Sequence, residues 1–518
     1  MFKKKDRRSF ANHFLFLVTL TLIITLLCST SFAQVAVPDG VYSFGDGRTG
    51  ELGLGDTKSA TTPTIIQNLT HIKTVEACYQ HSLVLLQNGD VYSFGDNSSG
   101  RLGLGDAENR SVPTKIQTIS GAKAIAAGNS HSLIILQNGD VYSFGNNAFG
   151  QLGHGDKNDR LTPTKIQGLS NAIDIAGGQS HSLVLLKNGH VYAFGYSGSG
   201  QLGQGDGGGI NHMTPLKILE NAKAIAAEGN NSMVLMKNGD VYTFGSNRYG
   251  QLGYETSNNY SATPAKLGNL GPAKAIAAGT GHSLVLLENG DLYSFGQGDS
   301  GQLGHGNTEH MAYPSKVEAL SGVKLIAAGT RHSLVVLDNG NAYSFGLGFG
   351  GRLGHGDIST RSTPTHIEAL SGKNVFGIAA GYSHSLALLG TPPITINING
   401  IPLYTEVPPI IINGRTMVPL RAIFEALDME VEWIAETRTI IGTTATDKIQ
   451  LTVDSNQTLV NNERVELDVP ATIIESRTLV PVRFIGESTG REVKWDGITR
   501  TVDITNIEPG DIFTDPIE

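Results

Sequence analysis

Cysteine, tryptophan and charge are scarce in this chain. Two cysteines and two tryptophans occur in 518 residues, and charged residues make up 16%. One cysteine, Cys28, lies in an N-terminal leader, so a processed chain keeps a single thiol and forms no intramolecular disulfide. That thiol, Cys78, sits in "VEACYQHS", where sister segments carry Gly128 and Gly178. The position asks for a small buried residue, not a reactive thiol. Nucleophile-elbow and phosphate-loop signatures are absent. "GDGGGI" at 205–210 is Gly-rich, but no "GK[ST]" follows, so it reads as a loop. No His or Cys occurs after His384.

Long apolar runs are also lacking, apart from Phe14 to Leu27. Its 14 residues fall short of the ~20 that span a bilayer. Lys3, Lys4, Lys5, Arg7 and Arg8 precede it, and Ser31-Phe32-Ala33 follows with small residues at −3 and −1 of a cleavage site. Residues 1–33 read as a secretory signal peptide cut after Ala33, with a retained anchor as the alternative. Bulky Leu27 argues against lipoprotein processing at Cys28. The expected location is secreted or cell-surface, with no membrane span after cleavage. Processing removes five cations and one anion and moves the formal charge from −9 to −13. Such an acidic chain is a poor match for a phosphate backbone, so no nucleic acid is expected as partner.

What the chain has in quantity is glycine, 65 residues, and repetition. "VYSFG" or a close variant starts at 41, 91, 141, 191, 241, 292 and 342, and "HSLVLL"-like phrases start at 81, 131, 181, 231, 282, 332 and 384. A period near fifty indicates a propeller or a solenoid. "AKAIAAG", "HSLIIL" and "VYSFG" each read as a strand, and "GQLGHGD…TPTKI" supplies a fourth with the crossover. The intervening "QNGD" predicts a hairpin turn with positive φ at both Asn and Gly. The array opens with a "VYSFG" lacking a preceding "HSL" and closes with an "HSL" lacking its "VYSFG". Pairing these loose ends completes a seventh unit and removes both unpaired edges, which favours a closed ring over an open solenoid.

The segment "AAGNSHSLIILQNGDVYSFGNNAFGQLGHGD" at 127–156 resembles the regulator-of-chromosome-condensation repeat, and the match recurs in phase over 36–390. The resemblance implies a seven-bladed β-propeller. Glu228, Asn231 and "GYETSNN" at 253–259 depart from the pattern and predict local irregularity. Intracellular relatives of this type include guanine-nucleotide exchange factors that touch chromatin. Secreted bacterial relatives resemble protein inhibitors.

Six repeated histidines, His81, His131, His181, His282, His332 and His384, fall one per repeat, too far apart to share a metal. They are expected to satisfy turn groups inside each blade. His154, His305 and His355 in the "LGHG" turns receive the same structural reading. Strand direction puts two variable loops of each blade on one face. There the sequence places Arg48, Tyr79, Phe149, Tyr196, Arg248, Tyr249, Asp299, Arg331, Phe349 and Tyr382. Exposed aromatic and Arg residues anchor protein interfaces, while drift in solvent loops is the bland alternative.

After "GTPP" at 390–393 a second repeat begins, offset by 62: "NGRTMVPLRAIFEALDMEVEW" pairs with "ESRTLVPVRFIGESTGREVKW". Each half reads as strands, a short helix and a hairpin. "RTMVPLR" and "RTLVPVR" resemble the copper-amine-oxidase N-terminal-like domain, over 394–506, with a tail at 507–518. Without His or Cys the module offers no copper donors. Arg415, Arg421, Arg477 and Arg483 are expected to brace carboxylates or carbonyls within each half, and Trp433 and Trp495 to be core.

The fold expected is therefore mainly β: a seven-bladed β-propeller with a small C-terminal α+β domain of two internal repeats. The function expected is that of an exported, non-catalytic binding protein without cofactor or metal. Its loop face would grip a protein partner, such as an extracellular enzyme, and its C-terminal module would associate with the cell surface. The alternative is a structural protein bound to wall polymer or polysaccharide. Exchange-factor-like activity is a third reading.

Overall fold

The computed structural model describes residues 40–506 apart from 206–208, 269, 392–393, 404, 406, 408, 475–476 and 498–499. The signal peptide, the tail after 506, the middle of "GDGGGI" and part of "GTPP" lie outside the described residues.

The fifty-residue unit folds as the alternation of its strands requires. Ile72–Ala77, His81–Leu86, Val91–Gly95 and Arg110–Lys115 form one antiparallel four-stranded sheet in chain order, from an inner to an outer strand. Seven such sheets occur among the described residues up to Leu389. In six of them the strands are consecutive. The seventh is built from both ends of the array, in the order Ala60–Ile65, Gly40–Gly45, His384–Leu389, Val375–Ala380. The loose ends pair over the whole strand, from Gly40 opposite Leu389 to Gly45 opposite His384. The ring is closed, and no solenoid edge remains at this seam.

Hydrophobic packing between sheets follows from the strand pattern. Phe44, Phe94, Phe144, Phe194, Phe244, Phe295 and Phe345 are all fully buried. Each lies against the glycine of the preceding sheet's "LG" pair. A Cβ on Gly53 would stand 2.9 Å from the Phe94 ring, and one on Gly354 would stand 3.0 Å from Phe44. Gly354 belongs to the last repeat and Phe44 to the first, so this contact also closes the ring. Each buried Phe contributes about 1.5–3 kcal/mol.

Histidine makes the polar counterpart of this packing, and here the expectation is corrected. The imidazoles do not satisfy turn groups within their own blade. Nε2 of His81, His131, His181, His282 and His332 lies 2.9–3.0 Å from the hydroxyl of Ser132, Ser182, Ser232, Ser333 and Ser385, each in the next sheet. His384 reaches Ser82 at 2.8 Å across the seam. Each serine donates its own proton to a backbone carbonyl, as Ser132 does to Arg101 at 2.8 Å and Ser82 to Glu51 at 2.9 Å. The hydroxyl oxygen therefore accepts from the imidazole, which fixes the proton on Nε2. Nδ1 of all six is buried without a hydrogen-bond partner among the described residues. Burial pushes His131, His181 and His384 down to about 3 and His282 to about 4, and holds His81 and His332 well below the ordinary 6.5.

The irregularity expected near Asn231 does not appear in the sheet, which keeps four paired strands. Asn231 takes the histidine's place. Turned to satisfy its surroundings, its amide nitrogen lies 2.9 Å from the Glu228 carbonyl and 3.2 Å from those of Gly279 and Thr280, just past the first strand of the next sheet, which its two N–H groups share. Tyr254 replaces the turn histidine, donating its hydroxyl to the Thr243 carbonyl at 2.9 Å. His154, His305 and His355 bond Ser143, Ser294 and Ser344 within their own sheets, as expected. The Asn-Gly turns are a second correction. Gly89 has φ +84°, but Asn88 is not among the positive-φ residues. Gly89 N–H donates to Leu86 and Leu86 N–H to Asp90, which makes a type I turn closed by a glycine bulge.

After the array, two helices, Leu420–Ala426 and Val482–Ser488, accompany two four-stranded sheets and one five-stranded sheet. Arg415–Pro419 and Arg477–Pro481 pair antiparallel, with Val418 opposite Val480. These are equivalent positions of the 62-residue repeat, so a pseudo-twofold axis passes between them. One core serves both halves, with Ile423, Phe424, Ile485 and Ile504 fully buried.

The six neutral imidazoles make stability pH-dependent. Their folded pKa values lie below the unfolded value, so this stability is complete above pH 6.5 and is lost as pH falls towards the folded values. Each imidazole steepens the loss by about 1.4 kcal/mol per pH unit. His131→Asn copies the residue used at 231 and removes one titrating group. We expect urea midpoints measured between pH 4.5 and 6.5 to show about one proton fewer taken up on unfolding. An unchanged slope refutes the neutral, buried imidazole.

Candidate protein-interaction face

Each His begins the second strand of its sheet opposite the Gly that ends the third: His81 faces Gly95, His181 faces Gly195 and His384 faces Gly45. The loop before the His and the loop after "FG" therefore leave the sheet at the same end. The inner loops of neighbouring sheets are tied to one another. Asn129 N–H donates to Gly178, Gln179 to Gly229, Thr330 to Gly381, and Tyr382 to Cys78 across the seam. These bonds align the loops on one rim.

The loops are held from below by side chains the sequence repeats. Ser43, Ser93, Ser143, Ser294 and Ser344 donate to the Leu carbonyl of "LG", nine residues on, at 2.7–2.8 Å. Gln151 and Gln251 accept from the apex N–H of Phe149 and Tyr249 at 3.0 and 2.9 Å. Arg101 and Arg352 occupy the equivalent position and are buried. Arg101 pairs with Asp96 at 2.9 Å and donates to the Asn129 carbonyl, while Arg352 donates to Phe349 and Tyr382 carbonyls at 2.8 and 2.7 Å. Burial lowers Arg352 to about 10, a value that leaves it charged at neutral pH. These two supporting arginines escaped the sequence reading, although "GRLG" in place of "GQLG" marks both.

On this frame the ten expected residues fall as follows. Tyr79 and Tyr382, 303 residues apart in sequence, meet with ring centroids 4.6 Å apart. Phe149 and Tyr196 meet at 5.0 Å, and Tyr249 lies 5.3 Å from the His310 ring. Phe349 is 53% exposed and Tyr382 40%. Arg48 is exposed and pairs with Asp46 at 3.2 Å. Arg248 and Arg331 are exposed as well. Burial alone would raise Asp299, but bonds from Gln297 and Ser300 and the Arg331 charge outweigh it and hold the carboxyl below its ordinary value. The structure thus joins three aromatic pairs and leaves Arg48, Arg248 and Phe349 apart from them.

Inside the ring the inner strands carry a group of acids that sequence reasoning did not assemble. Glu228 reaches across the axis from the fourth repeat to the first. One of its oxygens lies 3.3 Å from Cys78 Sγ, and the other accepts from Thr280 at 3.3 Å. Burial raises Glu228 to about 7, Asp174 to about 6 and Glu76 to about 8, the last with a contribution from Asp174. Burial also pushes the Cys78 thiol up, reinforced by the charge of Glu228. The signal was present in the sequence: these acids stand where no sister strand has a charged residue, Glu76 where the others have Ala and Glu228 where most have Gly. Among the described residues no group of three or more His, Cys, Asp or Glu could hold a metal ion.

With this geometry in place, comparison with known proteins is informative. Residues 39–85, 88–135 and 138–185 match the regulator of chromosome condensation (RCC1) repeat, and 167–387 match the RCC1-like domain. Residues 397–504 match the copper amine oxidase N-terminal domain. The chain carries RCC1 repeats followed by a copper amine oxidase N-terminal domain. Prp20p of Saccharomyces cerevisiae, described with binding properties to Gsp1p and histones, is 28% identical with a TM-score of 0.62. The match covers 68% of this chain and 92% of that one. Yeast RCC1 (Prp20), solved bound to Kap60, is 27% identical over 68% and 90% of the two chains, with a TM-score of 0.62. Human WBSCR16, at 22% identity, TM-score 0.63 and 68% and 100% coverage, shares the fold. A 36-residue stretch is 56% identical to the E3 ubiquitin-protein ligase MYCBP2 of Danio rerio, but it spans 7% of this chain and 1% of that protein. Copper does not fit the second domain, because its residues include no imidazole or thiol.

The buried thiol gives a direct check on the axial cluster. Iodoacetamide should leave Cys78 unmodified in the folded protein at pH 8 and label it in urea, as read by peptide mass spectrometry. Rapid labelling of the native protein is incompatible with the Glu228–Cys78 contact across the axis.

Proposed function

We propose that this RCC1-repeat protein is an exported, non-catalytic binding protein whose loop rim grips another protein. The observation that carries the reading is the set of solvent-facing rings on that rim. Phe149 and Phe349 are 38% and 53% exposed, and both stand on loops fixed by buried Gln151 and Arg352. Rigid aromatic side chains on a preorganised frame lose little entropy on binding, which suits an interface. The described protein associations of Prp20p support a binding role for this fold. Export rests on the basic N-terminus, the apolar run and the Ser-Phe-Ala site, and the C-terminal domain is read as a cell-surface module.

A second reading, association with wall polymer or polysaccharide, is favoured by one finding in the C-terminal domain. Trp433 and Trp495 are 47% and 40% exposed, which corrects their expected place in the core.

The loop-rim reading is tested by the double variant Phe149→Ala, Phe349→Ala. The partner captured from culture supernatant by the wild-type protein should bind at least about tenfold more weakly to the variant. The paired variant Tyr79→Ala, Tyr382→Ala should act likewise. Full retention of capture by both double variants, with unchanged melting curves, overturns it.

A further inference from the structure

The two exposed tryptophans stand in two equivalent grooves. One groove, of about 380 Å³, is lined by Arg415 and Thr416 from the first half and by Arg483, Val493, Trp495 and Val502 from the second. The other, of about 680 Å³, is lined by Arg477 and Thr478 from the second half and by Arg421, Val431, Trp433 and Ile440 from the first. Eight lining positions of one groove are 62-residue counterparts of positions in the other, and each groove also carries one acid, Asp468 in the first and Glu425 in the second. The halves exchange partners around the Val418–Val480 axis, so each groove needs both.

Packing does not explain why the two sets agree. The shared core keeps Val418/Val480 and Ile423/Ile485 but tolerates change elsewhere: buried Phe424 corresponds to Gly486. The open grooves have kept the same Arg, Thr and Trp. The domain is acidic overall, yet four of its ten Lys and Arg residues between 394 and 506 line these grooves. Arg415 shows how such a fork is used. Its Nε lies 2.9 Å from Asp468 Oδ2, and a terminal nitrogen reaches the same oxygen, a contact between the halves and not the expected brace within one. Arg483 makes no ion pair among the described residues. In the other groove Arg421 lies 4.0 Å from Glu425 with both side chains open to solvent.

We propose that each groove binds one segment of an acidic glycan, with a sugar ring laid on the Trp indole and a carboxylate held by Arg483 in one groove and by Arg421 in the other. A sugar has one apolar C–H face and a polar rim. It fits a half-exposed indole above an aliphatic floor, ringed by donors. The planar guanidinium fork selects a carboxylate. Because the grooves are related by a twofold axis, the domain takes two segments and gains by avidity on a polymer. This deepens the polysaccharide reading and does not depend on the loop rim, so either can fail alone.

Trp433 and Trp495 are the only tryptophans, so indole fluorescence of the full chain reports these grooves directly. Hexagalacturonate should shift or quench the emission, and Trp433→Ala and Trp495→Ala should each retain the response of the remaining indole. Arg421→Ala and Arg483→Ala should each weaken binding at their own groove about tenfold, with unchanged melting curves. No response to hexagalacturonate at millimolar concentration overturns the proposal. So does an equal response to neutral maltohexaose, and so does a stronger response to polyglycerol phosphate or to a hexaglutamate peptide. Loss of protein capture in the loop-rim variants leaves the fluorescence titration unaffected.

Discussion

The imidazole–hydroxyl bond between neighbouring sheets is the constraint on which the rest of the propeller depends. Each His reaches the Ser of the next sheet, which follows a His everywhere except at Asn231, so the dipeptide "HS" serves as donor in one sheet and acceptor in another. The serine's own proton goes to a backbone carbonyl, which leaves its oxygen free for the imidazole. Pairing offsets the cost of burying a polar group, and these six links fix the rotation of neighbouring sheets at six of the seven junctions. The bond from His384 to Ser82 spans 302 residues and is made only if the ring closes. Closure, loop alignment and the burial of Phe44 under Gly354 are consequences of the same geometry.

The site inherits its rigidity from this frame. Loops leaving the His–Gly end of every sheet are bonded to one another and supported by buried Gln and Arg side chains. The apex residues vary most, and there Phe149, Phe349 and Tyr382 face solvent while Tyr79 is half-buried. Where the repeat departs from its pattern, chemistry is substituted and the fold is kept. Asn231 and Tyr254 stand where other repeats have a histidine, and each bonds backbone carbonyls instead of a serine hydroxyl. Glu228, in place of the usual glycine, reaches across the axis to Cys78.

Much of the fold was legible because the strands are short, alternating and repeated in phase. The four-stranded unit, its closure from the two ends, and the end of the sheets that carries the variable loops followed from "HSLVLL", "NGD" and "VYSFG". The partners of the histidines did not. The phrase shows that His and Ser are adjacent along the chain, but the bond joins residues about fifty apart, and nothing local distinguishes it from a turn contact. The tryptophans failed for a related reason. A Trp in an alternating strand looks like core, yet Trp433 and Trp495 stand half-exposed in grooves that both halves line. Of the arginines expected to brace their own halves, Arg421 does so with Glu425, whereas Arg415 reaches Asp468 of the other half.

By itself the sequence determined the period, the strand content, the ring and the second, two-part domain, because these follow from hydrophobic alternation and turn chemistry within about ten residues. Only the tertiary structure decided which groups meet: His with the next sheet's Ser, Tyr79 with Tyr382, Glu228 with Cys78, and Arg415 with the opposite half. Those pairings depend on how whole sheets rotate and stack, a property that no local pattern encodes.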